Sequence, residues 1–140
     1  MQLDDVAKNY DALARFYDLG DRWLTRPFAR IGRLRVATVG RLSLREGDSV
    51  LDIGCGTGAT TREFSKHVAP DGNICAVDIS PPLIAHARSR SFKPKTEIKY
   101  HLADAQRDQI PAEPFDLVIS RFGSMFFADP VAAFGHIRQK

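Results

Sequence analysis

The chain has 140 residues, 44% of them apolar and 26% charged, which is the balance of one globular domain and not of a disordered chain. No apolar run approaches the ~18 residues of a membrane span, and the N-terminus lacks a basic-then-apolar signal peptide. Cys55 and Cys75 have neither metal-ligand spacing nor a disulfide framework, so a reducing, cytoplasmic setting is expected.

Residues 3–18 read as a helix with Val6, Tyr10, Leu13, Ala14 and Tyr17 on one side. A second helix over about 22–42 is expected to be interrupted or bent near Pro27 and Gly32. Arg22, Arg26, Arg30 and Arg33 share one stripe of it, and Leu24, Phe28, Ile31 and Leu34 the opposite one. The basic stripe reads as a solvated face on a helix packed over the site that follows. Its alternative is a peripheral contact with anionic lipid or an acidic partner. Nucleic acid is not expected, because no aromatics interleave the arginines for stacking. Residues 1–47 therefore read as a helical lid or cap, and 48–140 as the core.

After a turn at 45–48, strand and helix alternate. Strands are predicted at 49–53, 73–78, 97–102 and 115–120, and helices at 59–68, 82–91 and 130–139. Ser80-Pro81 and Asp129-Pro130 are helix-start pairs. Pro70-Asp71-Gly72 and Lys93-Pro94-Lys95 are turns. Alternating β and α implies an α/β fold, a doubly wound parallel sheet with helices on both faces.

The informative unit is residues 50–58, Val-Leu-Asp-Ile-Gly-Cys-Gly-Thr-Gly, followed by Asp78 at the end of the second strand. Gly54, Gly56 and Gly58, with Cys55 fitted into the turn, let the backbone approach a ligand. The helix start behind them offers unpaired N–H groups to an anion. Asp78 is placed to hold a ribose hydroxyl pair, the alternative being a helix-capping acid before Ser80-Pro81. Gly54-x-Gly56-x-x-Ala59 also satisfies the loose dinucleotide fingerprint. Asp52 decides against it, since a carboxylate at the mouth of the turn repels a pyrophosphate. It suits a cationic ligand such as S-adenosylmethionine, which carries an ammonium, a sulfonium and a carboxylate.

Four pieces in order resemble the class I S-adenosylmethionine-dependent methyltransferases: residues 50–58, Val77-Asp78-Ile79-Ser80, Ala103-Asp104-Ala105, and 115–120. The opening around Tyr10 and Tyr17 is similar to the quinone- and lipid-modifying branch. The resemblance implies a Rossmann-like sheet of order 3-2-1-4. Three further strands are expected to be missing, because the sequence stops inside the helix after strand four. It implies S-adenosylmethionine as cofactor, with Asp52 facing the ammonium and Asp104, Ala105 and Ile79 around the adenine. Ser120 and Arg121 are expected where the methionyl end and the acceptor meet, with Tyr17 over the sulfonium; for Arg121 the alternative is an ion pair with an internal carboxylate. It also implies methyl transfer to a small molecule, a quinone or lipid. The alternative is a truncated, catalytically silent cofactor-binding or interaction domain.

No catalytic base is identified, and His67, His86, His101 and His136 do not cluster at metal spacing. Alignment alone supplies much of the rate of such a transfer. Strand four is apolar and predicted at a sheet edge, so self-association through it is expected.

Overall fold

The computed structural model describes residues 25–90, 96–111 and 114–139. The predicted helix at 3–18 with Tyr17, the Arg22–Leu24 end of the second helix, and the Lys93-Pro94-Lys95 turn lie outside them.

Helix α1 is Thr25–Val39. Pro27 and Gly32 do not interrupt it: Pro27 falls in the first turn, where backbone N–H groups have no intrahelical partner to lose. The helix ends three residues before the expected Leu42, where the chain turns through Gly40. Leu34 was expected on the packed stripe, yet it is 61% exposed, and Val39 is the buried residue. The two lie five residues apart, roughly 140° around the helix at ~100° per residue, so they cannot share a face.

Strands β1 (Ser49–Ile53), β2 (Asn73–Asp78), β3 (Glu97–Leu102) and β4 (Leu117–Ser120) form one parallel sheet in the order β3-β2-β1-β4. Helices α2 (Ala59–Val68), α3 (Pro81–Ser89) and α4 (Pro130–Ile137) connect or follow them. Val50 pairs with Ile74 and Leu51 with Cys75. Side chains alternate across a strand, so the sheet buries two separate cores. Val50 and Ile74 pack with Val39, Phe64 and Val68, and Ala76 packs with Ile84, which puts α1, α2 and α3 on one face. Leu51, Ile53, Cys75 and Val77 pack with Ala105, Ile110 and Ile137, which puts α4 on the other. Burial on both faces is what continuous apolar runs in central parallel strands require.

Strand β4 is shorter than the expected 115–120. Asp116 accepts from the Ser49 amide through its side chain at 2.8 Å, and its own amide donates to the Ser49 carbonyl at 2.9 Å. The ladder therefore starts at Val50 and Leu117. Nor is β4 buried like a central strand, since Val118 is 41% exposed. Asp129 caps α4 by accepting from Ala132 N at 3.0 Å, whereas the Ser80 side chain makes no cap bond on α3. A 3-10 turn at Gly123–Phe126, not expected, follows β4. Among the described residues no helix is long and apolar enough to cross a membrane.

Phe64, on α2, is 1% exposed at the centre of one core. Phe64→Ala should cost about 3–5 kcal/mol of stability, read as a fall in the urea midpoint. An unchanged midpoint would contradict the packing described.

Candidate cofactor site

The strands β1, β2 and β4 end in a crevice of about 420 Å³, at the place where strand order reverses and open α/β sheets hold ligands. One wall is the β1–α2 turn, where Gly54, Gly56 and Gly58 have φ of 74°, 55° and 72°. Two of them serve different needs. A Cβ on Gly54 would lie 2.8 Å from the Gly123 Cα, so the turn can cross the segment after β4 only without side chains. A Cβ on Gly56 would meet nothing within 4 Å, which leaves its backbone open for close approach from the crevice. The turn leads into α2, whose N-cap Gly58 has no side chain to satisfy the first N–H groups.

Asp78 stands at the end of β2. Its Oδ2 accepts from the Gly56 amide at 2.8 Å and its Oδ1 from the Ser80 amide at 2.9 Å. The bond to Ser80 is the helix-capping role weighed from sequence beside the ribose role, since an aspartate two residues before Ser80-Pro81 is placed to bond the backbone two residues on; the brace to Gly56 was not foreseen. A carboxylate offers about four acceptor positions, and the two backbone bonds take one on each oxygen. Ile79 follows it on the crevice wall.

Asp52 forms the floor, 1% exposed, and its Oδ2 accepts from the Thr61 hydroxyl at 2.6 Å. Burial pushes its pKa from 3.8 to about 6; the Thr61 bond pulls the other way, and the Asp78 charge adds to the rise. Cys55 is buried in the same turn, and desolvation, then the charges of Asp52 and Asp78, hold its thiol far above the usual range. It stays protonated and serves as a small turn residue, not a nucleophile.

On the far side of β2, Asp104 accepts from the Gln106 amide at 3.0 Å, from Gln106 Nε2 at 3.1 Å and from Arg107 Nε at 2.8 Å. Ala105 is buried against Ile110. Gln106 was not singled out from sequence. Its Oε1 accepts from the Ala128 amide at 2.7 Å and ties this loop to the segment after β4.

The structure does not bring Ser120 to the crevice. Its hydroxyl donates to the Ile53 carbonyl at 2.9 Å and accepts from the Ser124 amide at 3.0 Å. It lines a second depression with Val118 and Phe134 instead. Arg121 does reach the crevice, as do Arg35, Phe126 and Phe127, the last three unforeseen. Among the described residues, no group of three His, Cys, Asp or Glu side chains is placed to hold a metal ion.

Asp52 sets a pH signature. Its folded pKa of about 6 exceeds the ordinary 3.8, so the folded state holds the proton longer than the unfolded chain. Stability attributable to it is present below about pH 4 and lost as pH rises to about 6, a difference of about 3 kcal/mol. Asp52→Asn removes that cost and keeps an acceptor for Thr61. The ligand-free variant should melt higher than wild type at pH 7.5, with the two curves converging near pH 4. A gap independent of pH would contradict this account.

Residues 50–139 match a family described as Methyltransferase domain. The chain is 30% identical over 118 residues to the ubiquinone/menaquinone biosynthesis C-methyltransferase UbiE of Bordetella parapertussis, covering 84% of this chain and 45% of that protein. Its structure is similar to a SAM-dependent methyltransferase from Aquifex aeolicus, with TM-score 0.66 and 20% identity over 77% of this chain and 60% of that one. It is also similar to a TehB-like SAM-dependent methyltransferase from Corynebacterium glutamicum, with TM-score 0.64 and 26% identity over 91% and 66%. The chain spans about half the length of the curated relatives it matches. A family match of this extent, on a crevice so built, places the chain among the class I S-adenosylmethionine-dependent methyltransferases.

Proposed function

We propose that the crevice binds S-adenosylmethionine and presents its methyl group to a small apolar acceptor of the quinone or lipid class. The buried Asp52 carboxylate carries this reading, because it repels a pyrophosphate and attracts an ammonium. The uncapped start of α2 suits the ligand's carboxylate, and Gly56, whose amide is taken by Asp78, leaves room for its approach. Asp78 suits the ribose hydroxyls, and Asp104, Ala105 and Ile79 the adenine. The apolar acceptor is supported by the mouth of the crevice, where Phe122 is 67% exposed beside Phe126 and Phe127. The name of the Bordetella relative supports a quinone.

When bound, the cofactor supplies an electrophilic methyl on a cationic sulfur. The chain's own residues fix its position: Asp52 by charge, the glycine turn by close backbone approach, and Asp78 by hydrogen bonds. The aromatic mouth excludes water and lines up the acceptor, and holding two reactants in line is a large part of such catalysis.

Calorimetry tests the assignment. Asp78→Ala should weaken S-adenosylhomocysteine by ~2–4 kcal/mol, the scale of its charged hydrogen bonds. Tighter binding of NAD than of S-adenosylhomocysteine by wild type would refute it. Binding without methyl transfer to any quinone, lipid or amine acceptor would instead favour a silent cofactor-binding domain.

The outer edge of β4 has no partner strand among the described residues, and self-association is proposed there. Light scattering over a concentration series should show a rising mass, and Val118→Lys should suppress it, because a lysine blunts an edge. A monomer at every concentration would count against the edge as a pairing surface.

A further inference from the structure

Asp52, Asp78 and Asp104 line the crevice, and so do two cations, Arg35 from α1 and Arg121 from the end of β4. Arg121 is exposed, and its guanidinium is steadied by two neutral contacts. Nη1 lies 3.4 Å from the Thr60 hydroxyl, and the group sits 5.4 Å over the Phe122 ring. The first is at the weak end of hydrogen bonding, and the second aligns a cation without neutralising it. Neither contact is an ion pair.

We propose that Arg121, with Arg35, forms an anion pole at the β4 end of the crevice that holds a carboxylate beside the methyl-transfer position; this rests on the cofactor reading above. A planar guanidinium matches a carboxylate in bidentate geometry. The carboxylate has two sources, the cofactor's amino-acid end or an acid group on the acceptor.

The test has an arm for each. Wild type and Arg121→Gln are titrated by calorimetry with S-adenosylhomocysteine and with 5′-methylthioadenosine, which lacks the amino-acid end. Protein saturated with S-adenosylhomocysteine is then titrated by NMR with 4-hydroxybenzoate and its neutral isostere 4-hydroxybenzamide. If the cofactor supplies the anion, Arg121→Gln weakens S-adenosylhomocysteine by about tenfold or more, the scale of one charged hydrogen bond, and leaves methylthioadenosine unchanged. If the acceptor supplies it, S-adenosylhomocysteine binding is unchanged. Wild type then prefers the benzoate, Arg121→Gln loses that preference, and Arg121→Lys recovers part of it. Arg35→Gln should show a loss in the same arm. Unchanged S-adenosylhomocysteine affinity in Arg121→Gln together with no preference for benzoate in wild type overturns the proposal. Failure of wild type to bind either adenosine ligand overturns the cofactor reading and this proposal with it, whereas the first result leaves the cofactor reading standing.

Discussion

Asp78 accepts from the Gly56 amide with one oxygen and from the Ser80 amide with the other. Through those two bonds the β1–α2 turn, the end of β2 and the start of α3 meet at one carboxylate. Each bond is charge-assisted and worth roughly 1.5–3 kcal/mol, enough to hold a turn whose three glycines sit at positive φ. The crevice wall is shaped by this acid whether or not a ligand is present. A group that both braces the wall and lines the crevice cannot be replaced without reshaping the crevice itself.

The second carboxylate has the opposite economy. Asp52 lies at the bottom of the crevice and, among the described residues, has the Thr61 hydroxyl as donor for its charge. Burying an ionised carboxylate on so little support is unfavourable. The raised pKa expresses that cost. A cationic ligand that lowers it gains in affinity what the empty protein loses in stability. The crevice thus combines one acid satisfied by the backbone with one left short of partners.

The β1–α2–β2 unit was legible in sequence, down to the bounds of both strands and of α2. There an apolar run, three alternating glycines and a terminal acid all point the same way. The sheet order followed from the resemblance, and β3 from alternation. What was not legible depended on side chains acting on backbone far away in sequence. Asp116 shortens β4 because Ser49, 67 residues earlier, offers it an amide. Ser120 is diverted from the crevice by the Ile53 carbonyl, at the same separation. The turn at Gly123–Phe126 follows Phe122 in a left-handed conformation, which nothing about a phenylalanine announces. Leu34 misled because periodicity identifies a stripe on a helix without saying which neighbour covers it.

Gly54 and Gly123 touch across the crevice floor, where a Cβ on Gly123 would lie 2.8 Å from the Ile53 carbonyl and 3.0 Å from the Gly54 Cα. The β1–α2 turn and the segment after β4 are therefore in backbone contact with no side chain to act as a cushion. A shift of either loop must be matched by the other. Any change in the shape of the crevice is thereby channelled into the side chains around this joint, such as Phe122, while the joint itself stays as it is.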